Sequence, residues 1–363
     1  MLVELSSAFG HLYFPRTPLL LFRFLNHGTI TKMKSARKRG KHSHMQNQQT
    51  RQLTNGAMMA AVFTVLLAIS VYVPVLSIVS TLILALPVAW YSAKYPWKAS
   101  ALFASVCLVL SFIIGGLLSV PLALIHVPLG LAIGISIYYK KSKLFMFMGS
   151  SIVLLVSLMV QYVASIVLFG INVLEEFTVM FDQSYEQTGS LMERFGASEA
   201  SLEEYNELVA QLQFSFETLL PVLLVLGVFM VVWVLLVILL PIMKRLGIEV
   251  PKFPPFRNMK LPKSVLWYYL IVLIVSLLSE FEPGTMAYMV FINATVLLQF
   301  LLFLQGISFY HFYIHQEGWP KWVTVLVTLL ALPLQSFTSI VGIVDLGFDI
   351  RGWVKRAHEF KGK

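Results

Sequence analysis

A chain this apolar leaves few side chains free to do chemistry. The first is His126, near the middle of a long hydrophobic run, VPLALIHVPLG, between Pro121 and Pro128. An ionisable ring at that depth needs a partner or a water-lined cavity, so it is the candidate for holding a ligand or a proton. The two prolines leave backbone carbonyls without their usual donors, and those oxygens are open to a ligand. The competing reading is structural: a neutral histidine bonded to one such carbonyl.

The second candidate is the ending GIVDLGFDIR, with Gly342, Asp345, Asp349 and Arg351. Two acids and a guanidinium at a membrane boundary pair and fix the end of the last helix, or form a catalytic carboxylate pair whose substrate nothing else in the sequence supplies. Asn293, Gln299 and Gln305 share one apolar segment, but at about 100° per residue they point three ways. They read as separate interhelical hydrogen bonds, as do Gln161 and Gln335. His311 and His315 stand four apart in SFYHFYIHQEGW, an aromatic interfacial stretch that favours headgroup anchoring over a metal site. The sequence carries no phosphate-binding glycine loop, no dinucleotide turn and no HExxH. No span carries a buried Asp, Glu, Lys or Arg away from its ends, which disfavours a carboxylate relay. We expect no enzyme, no cofactor and no metal.

The elements that position these groups are membrane helices. Of 363 residues 58% are hydrophobic and 12% charged, about half the charge of a soluble domain. The apolar residues come in blocks of about 18 or more, enough to cross about 30 Å of hydrocarbon. These blocks are 53–73, 75–91, 97–114, 117–139, 144–170, 219–243, 264–279, 286–314 and 322–346, the last carrying Pro333. The expected fold is an all-α polytopic bundle of eight or nine membrane segments.

The net charge of +9 is not a nucleic-acid signal, because it is local. Nine Lys or Arg against Glu4 lie in residues 1–52, read as a basic, disordered tail without a cleaved signal peptide; translation from Met33 or Met45 is an open alternative. Basic loops set the orientation. With the N terminus cytoplasmic, Lys94, Lys98, Lys140, Lys141, Lys143, Lys244, Arg245, Lys252, Arg257, Lys260, Lys263 and Lys321 all fall inside. Nine full crossings would then put the basic tail 347–363 outside. A helix broken at Pro333 into a re-entrant pair restores parity, as would the loss of one short early segment.

Residues 171–218 hold ten acids against Arg194 alone. Leu202, Tyr205, Val209, Leu212, Phe216 and Leu219 step by three or four, Ser201 and Glu204 have capping-box spacing, and Gly196 supplies a stop. This is an acidic, extracytoplasmic helical hairpin, its helices covering each other or offered to a partner.

Two spans carry small residues along one face: Ala57, Ala61, Thr64 and Ala68 in the first, and Ser100, Ala104, Cys107, Ser111 and Gly115 in the third. Such faces let membrane helices approach closely, within this chain or against another subunit.

The opening TRQLTNGAMMAAVFTVLLAISVYVPVLSIV, together with the ending Gly342, Asp345, Phe348, Asp349 and Arg351, resembles the YybS family of bacterial membrane proteins, from about Gln46 to the C terminus. That resemblance implies the plasma membrane of a Gram-positive bacterium. The segments of 53–170 are also similar to the substrate-binding S components of energy-coupling-factor vitamin transporters. In those an Ala-x-x-x-Ala face on the first helix docks on the transmembrane coupling subunit, and Ala57 and Ala61 match it here. The implied role is a small-solute-binding subunit working with a coupling subunit and an ATPase, without carry-over of vitamin-binding residues. The alternative role is an interaction or regulatory protein that transports nothing.

Overall fold

A computed structural model describes residues 49–251 and 255–361, all helical or in turns and short connections. The expected tail of 1–52 therefore lies outside the described residues up to position 48. The chain divides into two units, Met1–Met58 and Met59–Lys363. Among the described residues of the first, the Thr54 hydroxyl donates back to the Thr50 carbonyl at 2.9 Å within helix α1 (Gln49–Tyr72).

The second unit continues α1 and adds α2 (Pro74–Ile83), α3 (Leu86–Lys94), α4 (Trp97–Tyr138), α5 (Lys143–Phe169), α6 (Val173–Arg194) and α7 (Glu199–Arg245). After a 3-10 turn at Phe256–Asn258 come α8 (Ser264–Leu278), α9 (Met286–Gln316), α10 (Lys321–Ala331), α11 (Gln335–Phe348) and α12 (Ile350–Lys361). Among the described residues six spans are long and apolar enough to cross a membrane: α1, α2 with α3, α4, α5, α7 and α9. α8, at 15 residues, is a shorter apolar helix.

Helix α4 is two arms. At 42 residues it would run about 63 Å if straight, twice the hydrocarbon thickness. Gly116 breaks it with φ 57° and ψ −145°, a region that side chains with a Cβ avoid. The chain folds back there, because the Ser119 hydroxyl reaches the Ser111 carbonyl at 2.5 Å. Eight residues of straight helix would hold those positions about 12 Å apart. The second arm packs closely on α3: a Cβ on Gly130 would lie 2.6 Å from the Ala85 carbonyl, and one on Gly134 2.5 Å from that of Ala89. Counting α4 twice gives seven candidate spans among the described residues, with α8 and the bent pair α10–α11 as further apolar segments.

The last segment turns back. α10 and α11 are bent by 112° across the break that contains Pro333. α10 runs antiparallel to α9, with His311 bonded to Thr328 at 2.7 Å and Ala331 packed by Phe303 and Ile307. α11 turns back and crosses α9, ending with Asp345 at Gln305 and Arg351 at Ser308. A Cβ on Gly306 would meet the Thr338 carbonyl, and one on Gly342 the Leu302 carbonyl, each glycine facing the residue four before the other. Lys321 at the start of α10 and Arg351 after α11 therefore sit at the same end of α9.

That end carries the basic connections; the other carries Glu280, Glu282 and the acidic hairpin. In the hairpin, Phe177 stacks on Phe216 and Tyr185 on Tyr205, so α6 and the first half of α7 run antiparallel. Gly196 ends α6 at φ 82°. The cap of α7 is Ser198, whose side chain accepts from the Ser201 amide at 3.3 Å, and not the expected Ser201. Ser198 is the nearer hydroxyl after the Gly196 stop, and Ser201 becomes the third residue of the helix. The basic tail after residue 347 is helical as α12, since Asp349 resets the backbone at φ 48° and a new helix starts immediately.

Candidate functional site

The ending GIVDLGFDIR forms the densest polar constellation among the described residues. Its geometry begins with α9, which presents Gln305 and Ser308 three residues apart, hence on one face. Gly306 between them lets α11 come to backbone contact, with Gly342 opposite. Asp345 follows Gly342 by three residues and so turns toward the same contact. Its side chain is fully buried, and its Oδ2 accepts from Gln305 Nε2 at 2.5 Å. The Gln305 Oε1 accepts in turn from the Leu261 amide at 2.9 Å.

Arg351 completes the group from the far side of the Asp349 turn. Its Nε donates to the same Asp345 Oδ2 at 2.9 Å, Nη1 to the Arg257 carbonyl at 2.9 Å and Nη2 to Ser308 Oγ at 3.1 Å. Ser308 is buried and donates to the carbonyls of Phe256 and Met259 at 2.9 and 2.8 Å. Three separate stretches, 256–261, α9 and α11–α12, are thus tied through one carboxylate. Asp345 Oδ1 is buried without a hydrogen-bond partner among the described residues. Burying a charge pair costs several kcal/mol per ion in desolvation unless the geometry returns it, so the pair fixes a register more than it adds net stability.

The two acids do different jobs. Asp349 takes no part in the buried group and pairs with Lys260 at 2.5 Å on the exposed side. The hydrogen bond from the Lys260 ammonium, and then its charge, hold the Asp349 carboxyl below the usual carboxylate range. Lys260, 89 positions away, and the Gln305–Ser308 face are the partners that sequence reading missed. Their signal was only that a basic connection and a polar helix position both fall at the same end of the bundle. With Arg351 committed to three acceptors and Asp345 Oδ2 shared by Gln305 and Arg351, the constellation is placed as a latch on the re-entrant pair.

His126 is buried, and its Nδ1 lies 2.8 Å from the Leu122 carbonyl. That is the residue one turn earlier, not Leu124, whose oxygen Pro128 deprives of a donor. Pro121, five residues after the Gly116 break, removes the amide donor that the Leu117 carbonyl has in a regular helix. His126 therefore sits apart from the acids and basic groups of the ending.

On α1, Phe63 and Leu67 are fully buried, Thr64 and Ala68 are half-buried, and Ala57 and Ala61 are exposed. The stripe of the first arm of α4 behaves oppositely: Ser100, Ala104, Cys107 and Ser111 are buried inside the bundle, and Gly115 is half-buried. Asn293 splices two helices. Its amide nitrogen donates to the Thr218 carbonyl at 2.7 Å and its oxygen accepts from the Val222 amide at 2.9 Å, a donor and acceptor one turn apart on α7 beside Pro221.

A family profile described as "Predicted membrane protein (DUF2232)" matches residues 61–346. A protein of Bacillus subtilis (strain 168), printed as "Uncharacterized protein YybS", is 29% identical over 314 residues, covering 85% of this chain and 100% of that one. No solved structure matches.

Proposed function

Because this chain belongs to the predicted membrane protein family DUF2232, we propose that it is a non-enzymatic, multi-pass subunit of the plasma membrane that binds a small solute and works docked on a partner subunit. The observation that carries this reading is the division of α1. Phe63 and Leu67 fill the interior, while Ala57 and Ala61, four residues apart, stay exposed. In a bilayer, small side chains gain close packing only when another helix lies on them. The likeness of 53–170 to S components supplies the kind of partner, a coupling subunit with an ATPase. Thr64 and Ala68 extend the same face. His126 is the residue through which a solute or proton would be felt, and the basic connections support a cytoplasmic N terminus.

Affinity purification from native membranes tests docking. Co-isolation of a coupling subunit and an ATPase, abolished in Ala57→Leu/Ala61→Leu, is the expected result, and partners kept undiminished by that variant defeat the proposal. Mass spectrometry of small molecules retained by the purified protein tests solute binding, and His126→Ala should change what is retained. Accessibility of single cysteines placed in the 140–143 and 280–283 connections checks orientation, with the former protected from an external reagent.

A second reading, an interaction or regulatory protein, is favoured by the hairpin. Phe195 is 88% exposed and Met180 66% exposed beside the acids of α6. Deleting the hairpin tip while leaving α1 intact should then cost partners that Ala57→Leu/Ala61→Leu does not.

A further inference from the structure

A cavity of about 450 Å³ lies away from both the latch and His126, at the basic end. It opens where α3, the second arm of α4 and α7 all finish. Its wall is apolar, with Ala93, Ile137, Ile248, Val250 and Pro251, and its rim carries Lys94, Lys140, Lys141, Tyr138 and Glu249. Three ammonium groups against one carboxylate leave the rim net positive.

Two helix ends in this cavity close by the same hydrogen-bond pattern and differ in one residue. At α7 the Gly247 amide bonds the Lys244 carbonyl and the Ile248 amide that of Met243; at α4 the Lys140 amide bonds Ile137 and the Lys141 amide bonds Ser136. This ending needs a left-handed residue, and glycine is the usual choice. Gly247 supplies it at φ 81°, whereas Lys140 adopts it at φ 50° despite its Cβ. Among described residues outside glycine, only Asp349 shares that conformation, and Asp349 has Lys260 to hold. A lysine that merely offsets the negative end of a helix does not need the strained position. Neither Lys140 nor Lys141 has a carboxylate within ion-pair distance among the described residues.

We infer that this pocket binds a net anionic phosphate ester, its phosphate held by Lys140 and Lys141 with Lys94 and Tyr138 at the rim, and its apolar or glycerol portion against Ile137, Ile248 and Val250. Glu249 faces the same space and accepts a hydroxyl of the ester. The site stands at the level where the apolar helices end. Both an anionic lipid headgroup and a soluble phosphate ester present this chemistry.

The full chain, purified in detergent, is titrated with a short-chain phosphatidylglycerol, a short-chain phosphatidylcholine and glycerol 3-phosphate, and followed by native mass spectrometry. Preferential retention of phosphatidylglycerol over phosphatidylcholine, weakened about tenfold by Lys140→Gln or Lys141→Gln, supports a lipid site. The same losses seen with glycerol 3-phosphate support the site with a soluble ester as its occupant. Lys140→Gly separates binding from folding, since it removes the charge and relieves the left-handed strain. Its melting temperature should match or exceed that of the parent while retention falls. Lys260→Gln, in the other basic cluster, should retain as the parent does. Equal retention by the parent and Lys140→Gly, or no preference for either anionic probe over phosphatidylcholine, overturns the inference.

Discussion

Gly306 of α9 and Gly342 of α11 meet backbone to backbone, and neither has room for a single added carbon. A Cβ on either would stand 2.0 Å from a carbonyl oxygen of the opposite helix, Thr338 in one case and Leu302 in the other. Carbonyl oxygens in a helix cannot swing aside as a flexible side chain does, so the helices themselves must part. Gly306→Ala and Gly342→Ala should each destabilise the fold by about 3 kcal/mol, at the upper end of overpacking costs. Gly149 and Gly227, also within helices, meet nothing within 4 Å. Alanine there should be neutral or stabilising by up to about 1 kcal/mol. Thermal melts of the purified protein in detergent distinguish the two pairs, and equal losses at all four positions would refute the close approach.

Asp345 and Arg351 make one buried unit, so the cost of cutting it depends on which part remains. Asp345→Ala strands a buried guanidinium and should cost about 3–5 kcal/mol, in the range for breaking a buried pair from one side. Removing both charges as Asp345→Leu/Arg351→Met should recover much of that loss, because no uncompensated ion is left. Melting temperatures of the two variants in the same detergent supply the comparison. A double variant as unstable as the single one would mean that the Arg351 bonds to Arg257 and Ser308, and not the ion pair, hold the latch.

The spans were legible because crossing hydrocarbon is a one-dimensional requirement: a run of about 20 apolar residues satisfies it by itself. The fold-back of α4 was legible for a related reason, since Gly115 and Gly116 interrupt a run twice too long for one crossing. The break at Pro333 was likewise readable, from a proline inside an apolar run and from the parity of basic connections. What the linear pattern could not carry was which distant groups meet. Gln305 and Asp345, or Lys260 and Asp349, are joined by helix packing that spacing does not encode.

Local signals also failed where two choices were nearly equivalent. Ser198 and Ser201 both offer a hydroxyl ahead of an apolar-periodic helix, and the Gly196 stop decides for the earlier one. The Arg- and Lys-rich ending read as a tail, yet Asp349 restarts the backbone and α12 forms. Lys140 gave no local warning at all, because a lysine beside an apolar run is ordinary at a membrane boundary.

Asn293 replaces part of the α7 hydrogen-bond ladder, so its loss should be felt on a helix it does not belong to. Asn293→Leu leaves the Val222 amide and the Thr218 carbonyl without their cross-helix partner beside Pro221, where Glu217 already lacks its donor. A cost of about 1–3 kcal/mol follows from leaving such groups unmet. Asn293→Gln, one methylene longer, cannot reproduce both bonds and should recover little. Hydrogen exchange of the α7 amides around 218–224 is the sensitive measurement. Protection unchanged in Asn293→Leu would show that α7 closes its own ladder and that the amide is dispensable.

Lys260 and Asp349 supply an ion pair whose contribution should vary with pH in a defined sense. The lysine lowers the folded carboxyl below its unfolded value, which is about 4. A carboxylate shifted this way stabilises the fold fully above its unfolded pKa, and that contribution disappears as the pH falls through the lower folded one. The melting temperature of the parent should therefore exceed that of Asp349→Asn by a constant margin from neutral pH down to about pH 5, and the two should converge below about pH 4. Asparagine suits the comparison because it tolerates the left-handed backbone that Asp349 occupies. Lys260→Ala should give the same profile, and adding it to Asp349→Asn should cost nothing further. Both side chains are substantially exposed, so the margin should shrink with added salt. A margin that survives unchanged at acid pH would assign the role of Asp349 to its backbone alone.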